Sequence, residues 1–178
     1  MLLDPSSTLL AVIDIQERLL AVIPDADRVV ARAARLAEAA RLLGVRTVLT
    51  EQYPRGLGPT DSRLTPLLPA PRNKLSFSSA ACEGIAIGSD PYAAVVLCGL
   101  ETHVCVAQTA LDLLARGKRV HVAVDAVASR HAIDHETALR RLEGAGAIPT
   151  TTEAILFEWC RTAEHPAFQS VRALVVGR

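Results

Sequence analysis

The sequence predicts an α/β fold, a single three-layer α/β/α Rossmann-like domain over residues 1–178 with a mostly parallel, six-stranded sheet. Three observations carry this reading. Short aliphatic runs, such as Leu9-Leu10-Ala11-Val12-Ile13 and Ala94-Val95-Val96-Leu97-Cys98, look like strands buried on both faces. They alternate with segments of helical period, the pattern of βαβ units. Half of the 178 residues are hydrophobic and only 3% aromatic, so the core should be aliphatic. A chain of this length buries roughly 70% of its unfolded surface.

Five strands and their partners can be placed in order. Thr8 to Asp14 is the first strand. Asp27 to Leu43 follows as a helix, with Val30, Ala34, Ala37 and Ala40 on one face and Gly44 as its stop. Val45 to Thr50 is the second strand. Glu51 to Asn73 is a long connection punctuated by Pro54, Gly56, Gly58, Pro59, Pro66, Pro69 and Pro71, and a loop of that length is either functional or disordered. Lys74 to Ala81 is polar and aromatic, and a weak helical pattern lies near Glu83 to Gly88. Ala93 to Cys98, Arg119 to Val124 and Ala147 to Thr151 are the remaining strands. Helices are expected over Thr102 to Arg116, Ala132 to Ala145, Thr152 to Arg161 and His165 to Val176.

Composition narrows the partners. Nineteen basic residues balance nineteen acidic ones and no basic block stands out, which argues against nucleic acid or an anionic membrane. No apolar run reaches the roughly 18 residues of a membrane span, and the N-terminus lacks a signal-peptide pattern. The cysteines at 82, 98, 105 and 160 form no CxxC and no paired metal-ligand motif. A reducing cytoplasm is the expected location. Cys98 and Cys160 read as core residues, and Cys82 is ambiguous.

In doubly wound sheets, ligands sit outside the carboxyl ends of the strands. Asp14, Glu51, Gln52, the stretch Gly99 to Cys105, and Asp125 all fall at such ends. Cys105 is the most informative of them. It stands in the first turn of a helix that starts near Thr102, directly after a buried strand and Gly99. A nucleophile on a sharp strand-to-helix turn has this placement, and the helix start favours a thiolate. Thr102 reads as an N-cap whose hydroxyl accepts from the Cys105 N–H. Asp14 reads as a general base or as a turn acid for Ile15 to Ala21, and Lys74 as its charge partner or as a solvated lysine. His103 points about 200° around the helix from Cys105 and is not its base. His131 and His135 have the i, i+4 spacing of metal ligands, but a solvated helix start explains them better. No GxGxxG after a strand, no GxxxxGK[ST] and no GxSxG is present, so dinucleotide, P-loop and serine-hydrolase chemistry lack their motifs.

The motifs Val12-Ile13-Asp14-Ile15-Gln16, Lys74-Leu75-Ser76-Phe77-Ser78 and Gly99-Leu100-Glu101-Thr102-His103-Val104-Cys105-Val106, with Asp125-Ala126-Val127 and Ser129, resemble the isochorismatase-like cysteine hydrolases, a superfamily that includes nicotinamidases and N-carbamoylsarcosine amidohydrolases. Glu51-Gln52-Tyr53-Pro54-Arg55-Gly56-Leu57-Gly58 is similar to the branch of isochorismatase-domain hydrolases. The resemblance covers nearly the whole chain. It implies a catalytic triad of Asp14, Lys74 and Cys105, with Cys105 the nucleophile. It also implies a cis Leu100–Glu101 peptide and an oxyanion hole from the Glu101 and Cys105 amides. Gln16, Gln52, Phe77 and Thr102 are the expected substrate-binding residues. Where nicotinamidases carry Asp-x-His after the second strand, this chain has Glu51-Gln52-Tyr53, so no metal and no cofactor is expected.

The reading is therefore a hydrolase of a small molecule with an amide, imide or related C–N bond, working as a homo-oligomer. A vinyl-ether substrate would not need a covalent step. A non-catalytic scaffold of the same fold and a thiol-redox protein using Cys105 are the competing classes. At ~4 Å and an effective dielectric near 20, Lys74 would attract a thiolate by about 4 kcal/mol and an ionised Asp14 would oppose it equally. Cys105 is thus expected to rest as a thiol beside a Lys74–Asp14 ion pair. The apolar pattern of the last helix, Phe168, Val171, Leu174 and Val175, suits an interface or the core.

Overall fold

A computed structural model of the chain describes residues 2–85 and 92–176. Its six strands are β1 (Thr8–Ile13), β2 (Arg46–Gln52), β3 (Arg72–Lys74), β4 (Ala94–Leu100), β5 (Arg119–Ala128) and β6 (Ile148–Thr150). They form one sheet in the order β3-β2-β1-β4-β5-β6, and every pairing between them is parallel. The chain builds outward from β1 to β3, then returns to lay β4 on the other side of β1. The switch point thus falls between β1 and β4, where such sheets open a crevice at the carboxyl ends.

The helices are α1 (Glu17–Leu20), α2 (Ala26–Leu43), α3 (Pro54–Leu57), α4 (Ala107–Ala115), α5 (Ala132–Gly144), α6 (Thr152–Cys160) and α7 (Phe168–Val176). Strand alternation sorts the core into two layers. Leu10, Val12, Val96 and Cys98 face α2, α6 and α7, whereas Leu9, Ala11, Val95 and Leu97 face α4 and α5. α7 lays Val171 into the first layer, with Phe168, Leu174 and Val175 packed around it. Its apolar face is therefore spent on the chain's own core. Gly44, at φ 71°, closes α2 in the left-handed conformation that a glycine C-cap supplies.

Three elements differ from expectation. Lys74 ends β3, a three-residue edge strand too short and too polar to read as one. The helix expected from Thr102 begins with a π-helical turn, Thr102–Val106, before α4. β5 runs on past Val124, because its register with β4 jumps from Leu97↔Val122 to Gly99↔Val127. The bulge turns Asp125 away from the switch point. Its carboxylate accepts from the Thr152 amide at 2.8 Å and the Thr152 hydroxyl at 3.0 Å, and it pairs with Arg32 Nε at 3.3 Å. Asp125 ties α6 to α2 and does not join the candidate site. Of the weak helix near Glu83, residues 83–85 form a turn and 86–88 lie outside the described residues.

The long connection after β2 is held by buried polar groups. Glu51 Oε1 accepts from both the amide and the hydroxyl of Thr60, each at 2.7 Å. Gln16 and Thr60 form an isolated antiparallel bridge. Among the described residues, no helix is long and apolar enough to cross a membrane.

Candidate active site

Asp14 is the first residue past β1 and takes φ 50°, a left-handed conformation that aspartate tolerates better than most residues. The kink drives its carboxylate beneath the ends of β2 and β3, where it is wholly buried. Lys74 Nζ reaches Asp14 Oδ2 at 2.6 Å, and its side chain is only 3% exposed. The same ammonium meets Gln52 Oε1 at 2.7 Å, the Phe77 carbonyl at 3.0 Å and the Ser76 carbonyl at 3.3 Å. Thr50 donates its hydroxyl to Asp14 Oδ1 at 2.7 Å. This is an ion pair with every charged atom hydrogen-bonded, the condition under which burial of two charges is tolerated.

Cys105 completes the group from the other side of the switch point. It lies in the π turn after β4, is 5% exposed, and its thiol meets both the Asp14 carboxylate and the Lys74 ammonium. Burial, and then the Asp14 charge, push the thiol up to about 12, against the pull of Lys74. The thiolate that a helix start alone would favour is overridden, because dipole stabilisation of up to ~2 kcal/mol is small beside desolvation. Cys105 rests as a thiol. Cys98, wholly buried, is likewise raised to about 12, by burial foremost.

Gly99 lets β1 and β4 come this close. It pairs with Ile13 at φ 123°, and a Cβ there would stand 1.9 Å from the Ile13 carbonyl oxygen. The turn that follows contains a cis Leu100–Glu101 peptide bond. Glu101 and Cys105 belong to this same turn. The Glu101 carbonyl accepts from the Val104 and Val106 amides, and the Glu101 side chain from the Arg130 amide at 3.1 Å.

The remaining expected site residues divide. Gln52 is brought to the ion pair, its amide nitrogen donating to the Leu75 carbonyl at 2.8 Å while its oxygen takes the lysine. Phe77 is 52% exposed on the rim, with Tyr53 and Leu75 also exposed. Gln16 serves the scaffold instead. Its amide nitrogen donates to the Gln52 and Gly58 carbonyls, and its oxygen accepts from the Gln52 amide. Thr102 makes no cap to Cys105; it is buried with its hydroxyl 2.9 Å from His135 Nδ1. His103 turns away to Ser129 Oγ at 3.0 Å. A cavity of about 520 Å³ opens beside the site, walled in part by Asn73, Lys74, Leu75, Ser76 and the half-buried Cys82, while Asp14 and Cys105 are not among its lining residues. Among the described residues, no group of three or more His, Cys, Asp or Glu side chains is placed to hold a metal ion.

Sequence reasoning missed Thr50, Ser79 and Thr109, three buried hydroxyl residues around the site. Thr109 falls in the helix continuation Thr109-Ala110-Leu111-Asp112 that fits the family resemblance, but no role follows from it, and only convergence in space marks the three together.

A parallel sheet with helices on both faces and polar groups meeting at its switch point is the fold of the isochorismatase-like hydrolases. Residues 8–154 match the isochorismatase domain, and the chain belongs to that family. It is 44% identical over 172 residues to isochorismatase domain-containing protein 2 of Bos taurus, covering 96% of this chain and 84% of that protein. It is also similar to the solved MAR1 ribonuclease of Caenorhabditis elegans, with TM-score 0.91 and 38% identity over 99% of this chain and 93% of that one. The YcaC product of Escherichia coli, described as an octameric hydrolase of unknown specificity, shares the fold at TM-score 0.84 and 23% identity, covering 99% of this chain and 95% of that one.

Proposed function

We propose that the protein is a cysteine hydrolase of a small molecule with an amide, imide or related C–N bond, using Cys105 as nucleophile, Asp14 as base and Lys74 as the fixed cation. The observation that carries this is a buried thiol, raised to about 12, in contact with a 2.6 Å carboxylate–ammonium pair. A thiol this weakly acidic needs a base in contact with it, and the Asp14 carboxylate, paired with Lys74, is placed to take its proton.

The steps follow from that arrangement. Cys105 Sγ adds to the carbonyl carbon as its proton passes to Asp14. The developing oxyanion is received by the Glu101 and Cys105 amides. The C–N bond breaks, and the leaving nitrogen takes the proton from Asp14, leaving a thioester on Cys105. Water then adds to the thioester while Asp14 accepts its proton. The acid departs, and the proton returns to the thiolate. Gln52 holds Lys74 throughout, and Tyr53, Leu75 and Phe77 form an apolar rim toward the substrate.

Site-resolved alkylation by iodoacetamide tests this reading. Proton transfer from Cys105 to Asp14 leaves the number of bound protons unchanged. The Cys105 rate is therefore expected to be nearly constant from about pH 6 to pH 9 in the wild type. In Asp14→Asn the proton must leave to solvent, so the rate should climb about tenfold per pH unit. A wild-type rate that itself climbs tenfold per unit removes Asp14 as the base. With a screened amide substrate, Cys105→Ala should abolish turnover. RNA, which the name of the nematode relative brings forward, should be cleaved no faster by the wild type than by Cys105→Ala; faster cleavage would replace the small-molecule reading.

A homo-oligomeric state belongs to the same proposal, supported by the octameric assembly named for the E. coli fold relative. Sedimentation velocity should give a species well above the 19.0 kDa chain, and a lone monomer at micromolar concentration would overturn it.

A further inference from the structure

The buried hydroxyls near the site form a connected run. Thr50 Oγ1 donates to Asp14 Oδ1 at 2.7 Å and stands 3.4 Å from Ser79 Oγ. The Ser79 amide donates to Thr109 Oγ1 at 2.8 Å, and the Thr109 hydroxyl donates to the Cys105 carbonyl at 2.6 Å. Thr50, Ser79 and Thr109 are all fully buried. The run thus spans from the carboxylate beside the thiol to the backbone that carries the thiol, crossing β2, the segment after β3, and α4.

At Asp14 the consequence is specific. Lys74 occupies Oδ2 and Thr50 occupies Oδ1, so each oxygen has its own donor and the plane of the carboxyl group is set. A donor on an ionised carboxylate favours that form over the acid. A hydroxyl can also accept, so Thr50 can turn its own hydrogen toward Ser79 Oγ and remain bonded once Asp14 carries a proton. A valine of the same shape could do neither.

We propose that Thr50 is the positioning residue of Asp14, its hydroxyl fixing the plane of the carboxylate in which the Cys105 proton is received. The proposal rests on the reading of Asp14 as the base for Cys105. The charged and titratable groups facing that carboxylate are Lys74 from β3, Cys105 from the π turn, and, at longer range, Cys82 from the segment after β3.

The test is iodoacetamide labelling of Cys105, resolved by mass spectrometry from about pH 4 to pH 9 in the wild type, Thr50→Val, Thr50→Ser and Asp14→Asn. In Thr50→Val the plateau rate should fall about tenfold, because the carboxylate has lost the donor that fixes its plane. Thr50→Ser, which keeps the hydroxyl, should bring it back. A Thr50→Val profile that coincides with the wild type overturns the proposal, and so does a Thr50→Ser profile lowered as far as that of the valine. Buried Cys98 and Cys160 report unfolding by becoming labelled. Should they do so in Thr50→Val, Thr50→Ala and Thr50→Ser carry the same comparison. Indifference of Cys105 to Asp14→Asn sinks the base itself, whereas a response to Asp14→Asn with none to Thr50→Val sinks Thr50 alone.

Discussion

Lys74→Met is expected to cost about 3–5 kcal/mol of folding stability, read as a lower urea midpoint at unchanged slope. The methionine fills most of the lysine's volume, so the loss comes from charge and not from a cavity. Asp14 is fully buried, and without Lys74 it keeps only neutral side-chain donors, the Thr50 hydroxyl 2.7 Å away and the Cys105 thiol. Solvent does not screen the pair, whose side chains are 3% and 0% exposed, so the discount for surface salt bridges does not apply. The reverse change, Asp14→Asn, leaves the ammonium on Gln52 and two carbonyls and should cost less. The double variant Asp14→Asn/Lys74→Met, with no buried charge left, should lose less than the sum of the two single losses. A Lys74→Met cost below about 1 kcal/mol, or strict additivity in the double variant, would show that the pair contributes only as a surface salt bridge does.

Gly99→Ala should be the most damaging alanine substitution among the described glycines. The new Cβ would meet the Ile13 oxygen at 1.9 Å, its carbonyl carbon at 2.7 Å and its nitrogen at 2.8 Å, all backbone atoms of the central strand. It must also hold φ at 123°, which residues with a side chain rarely adopt. Relief requires β1 and β4 to part where Val12 pairs with Cys98 and Ile13 with Gly99. We expect a loss of about 3 kcal/mol or more, measured by denaturant unfolding. Because Asp14 directly follows Ile13 and Cys105 follows β4, alkylation of Cys105 should change its pH profile as well. Gly144→Ala, at the end of α5 with nothing within 4 Å of the new methyl, is the control and should be neutral or slightly stabilising. Equal effects at the two glycines would refute the close approach of β1 and β4.

How much of this was legible in the sequence depends on the range of each interaction. The buried runs at Leu9 and Ala93 could be read as parallel strands because a strand covered on both faces is apolar at nearly every position, a property each segment carries by itself. The helix ending at Gly44 was equally local. By contrast, β3 is three residues at a sheet edge, and its only mark is its register with Thr50, Glu51 and Gln52. Asp125 looked like a strand end because its segment turns polar there. The bulge that carries β5 on to Ala128 is set by the partner strand, which no local pattern records.

The site divides in the same way. Sequence by itself determined the fold class, the order of five of the six strands along the chain, and the three motifs that bear Asp14, Lys74 and Cys105, since each motif is defined by near neighbours. It also placed Cys105 at a helix start, from which a thiolate would follow if nothing else acted. The balance of Lys74 against an ionised Asp14 already predicted a resting thiol, and tertiary structure added the burial that is the largest cause of its raised pKa. Tertiary structure likewise spent the Gln16 amide on the backbone, sent the Thr102 hydroxyl to His135 and delivered Thr50 to the carboxylate. The physical reason is that hydrogen bonds and desolvation depend on which groups meet after the chain has crossed over itself. Asp14 meets Thr50 across 36 residues and Lys74 across 60, distances at which sequence spacing no longer determines contact.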